Sequence, residues 1–176
     1  MNMQEIYVES INEVLRNKKR IDKELDVSIS NKGKNVFVRG SPEKEYFAIR
    51  VLEAINLGFS IDKALQLKQE EVILQKLNIK DLTKRHDLKQ IKARVIGTSG
   101  KTLKTLNNLT NCEFSIKDNQ IGIIGDAEEI SDATQAAISL VKGSKQGNVY
   151  ARLERQRKKK RLDSRNLGVE FEEDLG

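Results

Sequence analysis

The run Ile96-Gly97-Thr98-Ser99-Gly100-Lys101-Thr102 holds the residue types best suited to gripping a phosphate. Two glycines three apart let a backbone turn sharply and approach a ligand with no side chain in the way. A helix starting at that turn would point its first N–H groups outward, at the end of the helix dipole that favours an anion. Lys101, Lys104 and Arg94 are close enough in sequence to add opposing charge. Little other chemistry is on offer. One histidine, His86, and one cysteine, Cys112, cannot build a zinc site, a His-paired nucleophile, a redox pair or an internal disulfide. No catalytic residue, metal or cofactor is therefore expected.

Charge gives a second lead. The formal net charge is +6, and the stretch 148–161 carries all of it: Arg152, Arg155, Arg157, Lys158, Lys159, Lys160 and Arg161 stand against the single acid Glu154. Such density is a footprint for a polyanion, or more plainly a solvated helix face. The remaining composition is ordinary, with 38% apolar, 33% charged and no Trp, in a chain of 176 residues that can form one medium domain or two small ones. No apolar run approaches the length of a membrane span, and the polar start Met1-Asn2-Met3-Gln4-Glu5 has no signal-peptide core. The expectation is an intracellular protein with no membrane partner, cytoplasmic, or nucleolar if eukaryotic.

The elements that would position these residues come twice. Shifting the chain by 85 residues without a gap lays Ser30 on Ser115, Gly40 on Gly125, Glu43 on Glu128 and Gly58 on Gly143. The first copy reads as a strand (Val27, Ile29), a turn at Asn31-Lys32-Gly33 and a second strand (Val36 to Val38) ending at Gly40. The second copy has Cys112, Phe114 and Ile116, a turn at Asp118-Asn119, then Ile121 to Ile124 ending at Gly125. A helix follows each, started by Ser41 and Pro42 in one and by Asp126 with Glu129 in the other, and stopped by Gly58 and Gly143. Upstream lie helical segments around Val14, Leu15 and Ile21, and around Leu103, Leu106 and Leu109. Leading strands are expected at Ile6-Tyr7-Val8 and at Ile91 to Val95. Between the copies, Ser60 caps an amphipathic stretch (Ala64, Leu65, Val72, Ile73, Leu77) that reads as a helical connector.

Three readings of the glycine loop compete. Gly100-Lys101-Thr102 resembles the end of a nucleotide-binding P-loop, but the position five residues before its Gly-Lys pair, where that motif needs glycine, is Val95. A bare structural helix start is the plainest reading. The third is the GxxG loop of a KH domain, which follows an apolar segment, opens a helix, and is succeeded by strand, strand and helix; such loops clamp about four backbone nucleotides of single-stranded RNA.

The chain also resembles, over nearly its whole length, the small-subunit ribosome-assembly family named after its eukaryotic member, partner of Nob one, also called Dim-two. The matching segments are the GxxG loop, Leu57-Gly58-Phe59-Ser60 with Lys63-Ala64-Leu65, Ile123-Ile124-Gly125, and Gly147-Asn148-Val149-Tyr150 with Leu153-Glu154-Arg155. The resemblance implies an α+β fold of two tandem type I KH domains, each βααββα with a three-stranded antiparallel sheet and helices on one face. The boundaries expected are a degenerate KH domain at 1–58, a helical connector at 59–90, a KH domain with GxxG at 91–147, a basic helix at 148–162 and a disordered acidic tail at 163–176. It implies binding to ribosomal RNA or its precursor near the 3′ end of the small-subunit RNA, together with the endonuclease Nob and the alpha subunit of initiation factor two, as a monomer and without catalysis.

Two departures stand out. The first copy has Asn12-Glu13-Val14-Leu15 where the loop should be, and the variable pair of the second loop is Thr98-Ser99, where the family usually has basic residues. The RNA backbone would then run over Gly97, Thr98, Ser99 and Gly100. Bases would lie in a groove floored by Ile96, Phe114 and Ile116, while Lys101, Lys104, Arg94, Arg152, Arg155, Lys158 and Lys159 supply charge. The alternative is a protein adaptor that touches RNA incidentally.

Overall fold

A computed structural model describes the backbone of residues 3–174 and the side chains of residues 3–166. The first unit runs β1 (Gln4–Tyr7), α1 (Ile11–Arg16), α2 (Lys18–Leu25), β2 (Ser28–Lys32), β3 (Asn35–Arg39) and α3 (Pro42–Asn56). After a short helix α4 (Ile61–Ala64) and a 3-10 turn (Leu65–Lys68), the second unit runs β4 (Val72–Asn78), α5 (Ile79–Leu82), α6 (Leu88–Ile96), α7 (Lys101–Thr110), β5 (Glu113–Lys117), β6 (Gln120–Asp126) and α8 (Ile130–Val141). A long helix, α9 (Gln146–Asp174), closes the chain. The two sheets are antiparallel throughout, ordered β1-β3-β2 and β4-β6-β5. The parallel sheet that a P-loop requires does not occur among the described residues.

Local chemistry explains most boundaries. Ser41 Oγ accepts the Lys44 N–H at 3.4 Å with Pro42 in the first helical position, and Ser60 Oγ accepts the Lys63 N–H in the same way at 3.4 Å. Gly58 and Gly143 follow α3 and α8 with φ of +95° and +105°, a region open to glycine. The 85-residue offset holds for β2 and β5, for β3 and the start of β6, and for the ends of α2 and α7 and of α3 and α8. It fails upstream.

There the structure corrects the sequence reading. Ile91 to Val95 is not a leading strand but part of α6, with Ile91 and Val95 buried four residues apart and Leu88 packed beside them. The leading strand is β4, inside the stretch expected to be a helical connector, so the second unit begins near Val72 rather than at residue 91. The second unit carries α5 and a loop (residues 83–87) between its first strand and α6, where the first unit has only residues 8–10. A gapless alignment had to miss that insertion. Asn12 to Leu15 lie within α1, and the helix junction that matches the GxxG position is Asn17 alone. β6 continues through Asp126, so α8 starts at Ile130 and neither Asp126 nor Glu129 caps it through a side chain. The acidic tail expected to be disordered over 163–176 begins within α9, which runs to Asp174 rather than ending at residue 162; residues 175–176 lie outside the described residues.

Two cores hold the fold. Val14, Ile21, Val36, Val38, Val51 and Leu52 fill the first, between its sheet and helices. Ile91, Val95, Leu106, Ile121, Ile123 and Leu140 fill the second. Because side chains alternate along a strand, β6 turns Ile121 and Ile123 to its own helices, and Gly122 and Ile124 to the first unit. Ile124 belongs to the first core, and a Cβ at Gly122 would lie 2.7 Å from the Phe59 ring. Ser115 Oγ donates to the Leu57 carbonyl at 2.8 Å across the same seam. The first unit is thus seated on the open face of the second sheet. Cys112 is buried beside Gly125, and burial pushes its thiol up to about 11, so it stays protonated and inert near neutrality. No described helix is long and apolar enough to cross a membrane.

Candidate nucleic-acid interface

The glycine run forms an elbow between α6 and α7. Gly97 has φ +78° and ψ 170°, a backbone region that is essentially glycine-only. Ser99 (φ 54°, ψ 30°) and Gly100 (φ 74°, ψ 13°) are both left-handed, which turns the chain at once into α7. Space demands glycine only at the first position. A Cβ on Gly97 would lie 2.2 Å from Thr102 Oγ1 and 2.7 Å from its backbone nitrogen, whereas one on Gly100 would meet nothing within 4 Å.

Hydrogen bonding leaves the tip of the elbow free. Gly97 N–H donates to the Ala93 carbonyl at 2.8 Å, Gly100 N–H to the Gly97 carbonyl at 3.2 Å, and Lys101 N–H to the Thr98 carbonyl. The Thr98 and Ser99 N–H groups take no part in these bonds, both residues are exposed, and no side chain caps α7. Unpaired donors at the start of a ten-residue helix are what an anion needs. Thr98 and Ser99 hydroxyls can add hydrogen bonds, and exposed Lys101 and Lys104 add charge on the first turn of α7. Gln146, at the start of α9, braces the elbow from beneath. Its Nε2 donates to Thr102 Oγ1 at 3.1 Å and to the Arg94 carbonyl at 3.2 Å. No spacing rule in the sequence pointed to Gln146, because it is brought there by the turn after α8.

The other expected residues divide. Arg94 points away from the elbow: its guanidinium donates to the Ser144 carbonyl at the α8–α9 junction. Ile96 is half-buried just before Gly97. Phe114 is 6% exposed and belongs to the core under the sheet, so its ring is not an open groove floor. Ile116, on the same face of β5, is half-buried at the rim, as is Leu103 on α7. Asn107, unmarked in sequence, ties α7 to the outer edge of β5. Its Oδ1 accepts the Phe114 N–H and its Nδ2 donates to Glu113 Oε2, each at 3.2 Å. Since Phe114 N–H faces α7, the main-chain groups of Ile116, two residues on, face the same gap.

Helix α9 packs Val149 and Leu153 against the second core and runs alongside α7, with Arg157 donating to the Asn108 carbonyl at 3.2 Å. Its cations are not equivalent. Arg152 donates to Ser139 Oγ at 2.9 Å, and Lys160 pairs with Glu129 at 3.2 Å and Asp132 at 2.9 Å. Burial alone would depress the Lys160 ammonium, but those two carboxylates outweigh it and hold its pKa above the usual value. Arg155, Lys158 and Lys159 are exposed on the far side of the helix from Leu153. Arg155 is nine residues, about 13 Å, along the axis from Gln146, so this basic face lies away from the elbow along α7.

The family model for eukaryotic-type KH domains (KH domain type I) matches residues 73–158, which begins within β4 and takes in the elbow and half of the basic helix. The KH domain-containing protein MJ0443 of Methanocaldococcus jannaschii is 30% identical over 149 residues, covering 81% of this chain and 66% of its own. The pre-rRNA-processing protein PNO1 of Eremothecium gossypii is 31% identical over 105 residues, covering 58% of this chain and 39% of its own. The chain thus spans two thirds or less of the length of these relatives. Among solved structures, Dim2p of Pyrococcus horikoshii OT3 matches with a TM-score of 0.82 at 25% identity, covering 88% of this chain and 99% of that one. The same archaeal protein in its complex with a/eIF2alpha and rRNA matches with a TM-score of 0.82 at 24% identity, over 90% and 95% of the two chains, a likeness of fold.

Proposed function

Because the chain belongs to the family of KH-domain proteins of PNO1/Dim2 type, as a compact archaeal-type member, we propose that it binds single-stranded ribosomal RNA or its precursor during small-subunit assembly. The observation that carries this is the exposed elbow at Thr98 and Ser99, whose free N–H groups open α7 between Lys101 and Lys104 on one side and the edge of β5 on the other. A phosphate of the strand accepts the elbow donors while the next bases enter the gap between α7 and β5. There half-buried Ile96, Leu103 and Ile116 provide apolar contact, and the outward main chain of Ile116 reads base edges. Exposed Arg155, Lys158 and Lys159 take further phosphates on a longer strand. Aromatic residues are only 5% of the chain and Phe114 is buried, so stacking contributes little.

The relatives' names support the process: PNO1 of Eremothecium gossypii is a pre-rRNA-processing protein, and the Dim2p neighbour occurs with rRNA and a/eIF2alpha. By that likeness the alpha subunit of initiation factor two is the first protein partner to test, and the maturing endonuclease Nob, implied by the family resemblance of the sequence, is the second. The first unit has a single residue, Asn17, in place of the elbow, which leaves its surface to protein contacts. The role is binding and positioning rather than catalysis. In a filter-binding titration with an oligonucleotide from the 3′ end of the small-subunit RNA, log affinity should fall linearly with log salt, by about 0.7 for each phosphate contact. Absence of binding at low salt would favour the adaptor reading, with RNA contact incidental.

A further inference from the structure

The insertion that separates the two units' plans opens a run of cations that continues into α6. Residues 80–92 hold Lys80, Lys84, Arg85, Lys89 and Lys92 against Asp81 and Asp87, and Arg85 is engaged by Asp87. Lys80, Lys84 and Lys89 are exposed and form no ion pair among the described residues. A surface depression there is lined by Lys80, Thr83, Lys84, Arg85, His86 and Leu88, with no carboxylate in its wall.

The loop is built rather than slack. Ile79 is fully buried and its N–H donates to the Asn119 carbonyl at 2.8 Å, Leu82 and Leu88 pack on the second core at either end, and Arg85 N–H donates to Thr83 Oγ1 at 3.2 Å. From it, α6 leads straight to the elbow. With Ile91 and Val95 buried, Lys89 and Ala93 stand on the opposite side of α6 and half-buried Lys92 on its flank, so Lys89 and then Lys92 extend the positive charge of the depression part of the way towards Gly97. The nine residues of α6 span about 13 Å, a distance that a few nucleotides bridge.

We infer that this depression is a second phosphate site, which holds the RNA strand where it continues past the elbow along α6. The inference rests on the RNA-binding reading above and adds a direction to it: the strand leaves Gly97 towards Lys89 and ends in the Lys80–Lys84 depression, with Thr83 Oγ1 as a neutral donor. The α9 basic face, by contrast, lies along α7. The first unit, which lacks the elbow, also lacks this insertion.

The test compares two RNAs, one of about four nucleotides that fills the elbow alone and one of about twelve. The triple variant Lys80→Ala/Lys84→Ala/Lys89→Ala should bind the short RNA like the unmodified protein. Its affinity for the longer RNA should fall by roughly one to two powers of ten at physiological salt, with the salt slope reduced by about 2. All three side chains are exposed, and circular dichroism checks the fold. Replacing the same three by Arg should keep the longer-RNA affinity, and so should Lys19→Ala/Lys23→Ala/Lys32→Ala, an equal change of charge on the first unit. The site is refuted if the first variant keeps the longer-RNA affinity and slope, or if the first-unit control loses as much. Failure of the unmodified protein to bind either RNA would instead overturn the RNA-binding reading itself.

Discussion

Gly97→Ala should cost the protein both stability and RNA binding, while Gly100→Ala should cost far less of the first. At Gly97 the backbone sits where an L-residue is strained by about 1–3 kcal/mol, and the new methyl must also displace Thr102, whose backbone nitrogen would be 2.7 Å away. Thr102 cannot yield freely, since it is 4% exposed and its hydroxyl is held by Gln146. The start of α7 must therefore move, and with it the free donors at Thr98 and Ser99. Gly100 is also left-handed, but a Cβ there meets nothing, so the cost is about 1 kcal/mol of backbone preference. Urea unfolding of the two variants, with RNA titration of each, checks the difference. Equal stability and equal affinity for both variants would mean that the elbow is not the constrained element described.

Phe59→Ala should be the most damaging single truncation at the seam between the two units. The ring is 3% exposed and lies over Gly122 at the middle of β6, so it plugs the first unit into the second sheet. Loss of a buried Phe costs about 3–5 kcal/mol, a large share of the stability of a small domain. Because the ring spans the seam, the loss should also uncouple the units and split one unfolding transition into two. Gly122→Ala, which adds a methyl against the ring from the other side, should destabilise by about 1–3 kcal/mol through overpacking. Differential scanning calorimetry reads both effects; a single unshifted transition in the Phe59 variant would show that the units fold independently of this contact.

What could be read from sequence, and what could not, follows from how local each signal is. Ser41-Pro42, Gly58, Gly143 and the glycine elbow announce themselves because each acts on its own few residues through a cap, a forbidden φ or a missing side chain. The hairpins β2–β3 and β5–β6 are similarly local. β4 is different. It pairs with β6 from nearly fifty residues away and is covered on both faces, with Val72 and Leu74 meeting the first core and Leu77 the second, so its side chains do not alternate apolar and polar. Ile91-Lys92-Ala93-Arg94-Val95 does alternate over five residues and so imitates a strand; only Leu88, three residues before Ile91, completes the helical stripe that decides it. Nearness in sequence puts Arg94 at the loop and the strand pattern puts Phe114 on the groove floor, but a side chain's direction depends on what it packs against. One reaches Ser144 and the other the core.

In the proposed complex the main chain of the elbow grips a phosphate of the RNA. The affinity of Thr98→Asp/Ser99→Asp for the 3′-end oligonucleotide, measured beside the unmodified protein, probes that grip. Both positions are exposed, and Ser99 at φ 54° is left-handed, a conformation Asp tolerates, so stability should stay within about 0.5 kcal/mol. Two carboxylates at the site of the bound phosphate should lower affinity at least roughly tenfold, because like charges at that distance repel. Unchanged affinity in a variant that remains folded would contradict the account.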